Sequence, residues 1–124
     1  MKLLHAMIRV KNIENSLKFY QELFDMNLVR EMRLEDCTLY FLCDQEGQTQ
    51  IELTYNDKTP DEGYEIGTGF GHFAFEVKSM DEFTSKMKNL GYNYLYEPFI
   101  LKNHDTKIAF IKDPDGYEIE LVEE

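Results

Sequence analysis

The chain has 124 residues, with 13 basic and 24 acidic side chains and a formal net charge of −11. That length fits one domain, or two small halves sharing a core, and the charge argues against nucleic acid and anionic membrane as partners. No apolar run is long enough to span a bilayer, and the opening MKLLHAMIRV alternates as a strand does rather than as a signal peptide, so the expected location is the cytoplasm.

In chain order, a first strand is expected over about residues 2–10. Its Leu4, Ala6, Ile8 and Val10 point one way, and its His5, Met7 and Arg9 the other. Asn12 suits a helix N-cap, and Ile13, Leu17, Tyr20 and Phe24 recur behind it at helical spacing. Three strands follow near 27–33, 38–43 and 49–55. Cys37 and Cys43 fall along one of them, about 20 Å apart, so both are expected as reduced thiols. Another strand near 70–77 leads into SMDE, a capping box with Ser79 as cap. Met80, Phe83, Met87 and Leu90 then form an apolar stripe that Gly91 ends as a left-handed cap. Strands near 94–98, 107–112 and 117–122 close the chain, with DPDG at 113–116 as the last hairpin turn.

Each half therefore reads βαβββ. Module one covers about 1–56 and module two about 68–124, with a Gly- and Pro-containing linker over about 57–67. The fold class is α+β, with paired βαβββ modules forming curved mixed sheets, since one such sheet with one helix cannot bury itself alone.

The halves also repeat in detail. QIELTY at 50–55 and EIELVE at 118–123 both place a glutamate between branched apolar residues. Glu52 lies 47 positions after His5, and Glu120 lies 48 after His72. A fixed offset carried through the chain marks a duplication. In each half period two sends the larger apolar residues to the helix side and leaves the histidine and glutamate for the other face. Taken singly, an exposed strand glutamate or a histidine is most often solvated surface. The matched pairs point instead to His5, Glu52, His72 and Glu120 around a divalent ion, for which Ni²⁺, Co²⁺ or Zn²⁺ suits the nitrogen and oxygen donors. Four such ligands leave two octahedral positions for water or substrate oxygens. His104 has no counterpart in the other half and reads as an exposed loop residue. GTGFGH lacks the spacing of a dinucleotide-binding loop and leads into a strand, so its glycines are expected to permit close backbone approach near His72.

The stretches LLHAMIRV, IELTYN, GTGFGHFAFEV and AFIKDPDGYEIELVE resemble glyoxalase I (lactoylglutathione lyase) of the vicinal-oxygen-chelate superfamily, and the resemblance runs nearly end to end. It implies the glyoxalase/bleomycin-resistance fold and a homodimer. It implies isomerisation of the hemithioacetal of methylglyoxal and glutathione to S-lactoylglutathione. It makes His5, Glu52, His72 and Glu120 the metal ligands, with Ni²⁺ or Co²⁺ favoured over Zn²⁺. Glu120 and Glu52 become the catalytic carboxylates, glutathione the co-substrate, and Arg9 and Asn56, with His72, the substrate-binding set. Two stretches depart from the family pattern: FYQELFDM carries Asp25 where glycine is usual, and KNHDTK lacks glycine. Competing readings are an acyl-coenzyme A epimerase with the same four ligands, a thiol transferase acting on an antibiotic, and a metal-free drug-binding module.

Overall fold

The computed structural model describes all 124 residues, as two compact units, Met1–Glu65 and Ile66–Glu124. In the first unit β1 (Ala6–Arg9) is followed by α1 (Ile13–Lys18), which continues into a π-helical turn, Phe19–Leu23. Then come β2 (Asn27–Arg33), β3 (Cys37–Cys43) and β4 (Gln50–Asn56). These make one mixed sheet in the order β1-β4-β3-β2, with β1 and β4 parallel and the other pairs antiparallel. The second unit repeats the plan with β5 (His72–Glu76), α2 (Met80–Asn89), β6 (Tyr96–Ile100), β7 (Lys107–Lys112) and β8 (Glu118–Glu123). Its order is β5-β8-β7-β6, again with only the first pair parallel. The two expected βαβββ modules are thus both present.

Local chemistry accounts for the helix ends. Asn12 Oδ1 accepts from the Asn15 N–H at 3.0 Å, and Ser79 Oγ from the Glu82 N–H at 3.2 Å. After α2, Gly91 takes φ +87°, while Gly91 N donates to Lys88 O and Tyr92 N to Met87 O, a Schellman ending. The first helix ends on Asp25, also left-handed at φ +54°. Asn103, at φ +66°, turns the glycine-free 101–106 loop in the same way.

One face of each sheet and the adjoining helix carry the core. Ile8, Val10, Leu42 and Leu53 are buried with Phe19 and Tyr20 in the first unit. Ile111, Ile119 and Leu121 are buried with Met80, Phe83 and Met87 in the second.

Four expectations are corrected. The first strand is shorter than 2–10, because its ladder opens only at Ala6↔Ile51; Leu4 precedes it and is exposed, and Ala6 is exposed as well. The buried side of the first helix is Ser16, Phe19, Tyr20 and Leu23, with Ile13, Leu17 and Phe24 half-buried beside it, so the apolar arc is wider than one stripe. The sixth strand lies at Tyr96–Ile100 rather than 94–98. It is an edge strand, and Pro98, which has no N–H to donate, falls at its register break between Tyr96 and Phe99. Finally, a Cβ added at Gly69 or Gly71 would meet nothing within 4 Å, so these glycines do not serve close approach.

Candidate metal centre

In each unit the face opposite the helix brings one histidine against one glutamate. Met7 pairs with Glu52 across β1 and β4, so His5, two residues earlier, shares the glutamate's face. His5 Nε2 lies 3.1 Å from Glu52 Oε1. In the second unit Ala74 pairs with Glu120, and His72 Nε2 lies 2.7 Å from Glu120 Oε2. The duplication seen in sequence is therefore a duplication of contact.

The same construction extends sideways. Phe41 faces Glu52 across β3–β4, and Phe110 faces Glu120 across β7–β8. Each ring meets its unit's imidazole edge-on, at 5.3 Å for His5–Phe41 and 5.6 Å for His72–Phe110. Each phenyl ring thus stands against one side of its unit's imidazole–carboxylate pair. Beyond it the units diverge: Arg30 stands over the Phe41 ring at 4.4 Å, whereas Tyr96 packs on Phe110 at 5.7 Å. A cleft of about 440 Å³ beside His5 is bounded by Lys2, Arg30, Phe41 and Gln50. It supplies basic groups on a chain that is acidic overall.

Glu52 is buried, 8% exposed, and Glu120 half-buried. Thr54, also buried, donates its hydroxyl proton to Glu52 Oε2 at 2.5 Å. Arg9 pairs with Thr54 in the ladder, so it lies on the glutamate's face, one alternate step along the strand. Asn56 shares that face, and its amide donates to the Tyr64 hydroxyl at 2.8 Å. Cys37 faces Asn56 across the ladder, and burial, reinforced by Asp36, pushes its thiol up, which argues against a nucleophilic role. His104 is exposed, as expected.

Imidazole nitrogen and carboxylate oxygen held this close, with His72 and both glutamates on strands and His5 directly before β1, are a donor set that fits a borderline divalent ion. Each unit contributes two donors, and no group of three or more potential ligands gathers in the chain. Sequence reasoning missed Phe41, Phe110 and Arg30 as site walls. The signal for the phenylalanines was present, since each occupies the third strand of its module directly before a branched or leucine residue, in YFL and AFI.

Comparison with known proteins gives the family and the fold. The model for the glyoxalase/bleomycin resistance protein/dioxygenase superfamily matches residues 2–121. A lactoylglutathione lyase of Neisseria meningitidis serogroup A is 41% identical over 127 residues, covering 99% of this chain and 91% of its own. One from Escherichia coli is 39% identical over 131 residues, covering 100% of this chain and 93% of its own. The crystal structure of glyoxalase I from Zea mays superposes with a TM-score of 0.87 at 36% identity over 99% of this chain, which spans 44% of the maize chain.

Proposed function

We propose that this chain, which belongs to the glyoxalase/bleomycin resistance protein/dioxygenase superfamily and within it to the lactoylglutathione lyases (glyoxalase I), isomerises the hemithioacetal of methylglyoxal and glutathione to S-lactoylglutathione. The observation that carries this reading is the matched pair of contacts, His5–Glu52 and His72–Glu120. We assign these four residues as ligands of one divalent ion, with Ni²⁺ or Co²⁺ favoured and Zn²⁺ compatible with the same donors. A bound ion would supply Lewis acidity at the two substrate oxygens, lowering the cost of the enediolate.

The remaining work falls to the chain's own groups. A glutamate carboxylate takes the proton from the hydroxyl-bearing carbon and returns it to the neighbouring carbon, while the hydroxyl proton passes to the former carbonyl oxygen, so the product is an isomer and the base ends as it began. Phe41 beside Glu52 and Phe110 beside Glu120 each give their unit's carboxylate an apolar neighbour. Arg9 and Asn56, on the same face as Glu52, bind the glutathione portion. Arg9 lies about 13 Å along the strand from His5 and can pair with a terminal carboxylate of an extended tripeptide.

Two donors per unit are half of the set assigned here, and closed twofold assembly is the common state of small oligomers. A homodimer is accordingly part of the proposal. Free Cys37 and Cys43 fit a reducing compartment, the cytoplasm, and no helix is long and apolar enough to cross a membrane.

The test is an assay with methylglyoxal and glutathione, following thioester formation as Ni²⁺ or Zn²⁺ is restored to metal-free protein. Metal-dependent thioester formation is expected. No activity with either ion, or full activity after chelation, would refute the assignment.

A further inference from the structure

The two modules differ at one position that bears directly on their glutamates. Two residues after Glu52 stands Thr54; two residues after Glu120 stands Val122. Period two places each on its glutamate's face. Thr54 Oγ1 donates to Glu52 Oε2, while Glu52 Oε1 faces His5 Nε2. Both oxygens of Glu52 are thus engaged, in a setting where Thr54 is 6% and Glu52 8% exposed. Glu120 meets His72 through Oε2, and the valine methyls at the matched place have no proton to give. The Glu120 side chain is also the more open of the two, at 17% against 10%.

We propose that Thr54 is a positioning residue: its hydroxyl holds Glu52 in one orientation as a stationary ligand, and the Thr54/Val122 difference leaves Glu120 as the carboxylate able to move between ion and substrate. The inference rests on the metal-dependent isomerase reading above. Its physical basis is the strength of a buried hydroxyl-to-carboxylate bond, which shifts a conformational equilibrium by about tenfold or more. A carboxylate that must swing away and back would break that bond on every turnover. One that only holds the ion gains from it, because its free oxygen is aimed before the ion arrives. The proton that Glu120 removes from one substrate carbon goes back to the next, so no further reactant is required.

The experiment uses the full chain loaded with Co²⁺, comparing Thr54→Val, Thr54→Ser and Val122→Thr with the unaltered protein. Co²⁺ affinity, the visible spectrum of the bound ion, kcat and KM are read for each. Thr54→Val is expected to weaken Co²⁺ binding about tenfold and change the spectrum, and Thr54→Ser to restore both. Val122→Thr adds a hydroxyl beside Glu120 at nearly constant shape. It is expected to leave Co²⁺ affinity undiminished and lower kcat about tenfold at unchanged KM. A Thr54→Val protein with the original affinity and spectrum overturns the inference. So does a serine variant that fails to restore them, or a Val122→Thr protein with the original kcat. If the unaltered protein neither binds Co²⁺ nor isomerises the hemithioacetal, the isomerase reading itself falls, and this one with it. Competent unaltered protein with unmoved variants sinks only the role of Thr54.

Discussion

Arg33 grips Asp57 through two hydrogen bonds of 2.6 Å, Nη1 to Oδ1 and Nη2 to Oδ2. The fork ties the last residue of β2 to the residue just after β4, while Nη1 also donates to Thr38 on β3 between them. Hydrogen bonding to the guanidinium holds the Asp57 carboxyl below the usual carboxylate range. The folded value therefore lies below the unfolded one. The pair's contribution is complete above the unfolded value and is lost as pH falls through the folded one. Asp57→Asn should lower Tm at neutral pH, and the gap to the unaltered protein should close in acid. Both side chains are about half-exposed, so added salt should narrow it too. Thermal melts across pH at low salt check this, and equal Tm values at pH 7 would rule it out.

Asp25 and Gly91 occupy the same place in the two modules, the first left-handed residue after the helix. A side chain at that φ crowds its own backbone, and glycine escapes the cost. Asp25→Gly should stabilise the fold by about 0.5–1 kcal/mol, or roughly 2–4 °C in Tm. Gly91→Ala should do the reverse by about 1 kcal/mol, through backbone strain alone, because a Cβ there would meet nothing within 4 Å. A destabilised Asp25→Gly protein in calorimetry would show that the aspartate's own contacts outweigh its strain.

The architecture was legible because strong local signals coincide with the duplication. Ser79, Gly91 and the Asp113–Gly116 turn each act within a few residues of chain, and the alternation around Glu52 and Glu120 fixes which face each carboxylate takes. What alternation does not encode is the partner across a ladder. Phe41 meets His5 from β3, with β4 lying between the two strands, and Arg30 stands above the ring from β2. Those contacts depend on register, and the β2–β3 and β6–β7 pairs each contain an irregularity, at Leu28/Arg30 and at Tyr96/Phe99. The extent of β1 was equally hidden, because Leu3 and Leu4 look like strand core yet precede the first paired residue. The bond from Thr54 to Glu52 was nearly legible: the two share a face by period two, but whether that hydroxyl turns to the carboxylate depends on its rotamer.

Alanine at His5, Glu52, His72 or Glu120 should each reduce Ni²⁺ affinity by more than the roughly 10–100-fold typical of losing an outer-shell partner. The two histidine variants should behave alike, since the modules repeat the same contact. Calorimetric titration of metal-free protein measures this. One variant that keeps the original affinity would remove that residue from the ligand set.

Kinetics separates holding the substrate from moving its proton. Arg9 lies too far along β1 from His5 to reach the reacting carbons, and a carboxylate contact there is made in ground and transition states alike. Arg9→Ala should therefore raise KM for the glutathione adduct about ten- to hundredfold, the value of one charge-assisted hydrogen bond, with kcat little changed. Glu120→Gln keeps an oxygen for the ion and nearly the same volume but cannot accept the proton. It should lower kcat by orders of magnitude at nearly constant KM. Glu52→Gln should lose less turnover and more metal affinity, because Thr54 can still donate to the amide oxygen while the ligand's charge is gone. Steady-state rates for the three proteins at saturating Ni²⁺ decide the matter. If Glu52→Gln collapses in kcat while Glu120→Gln turns over normally, the roles of the two glutamates are reversed. If Arg9→Ala loses kcat at constant KM, Arg9 supports the reacting centre rather than the far end of the substrate.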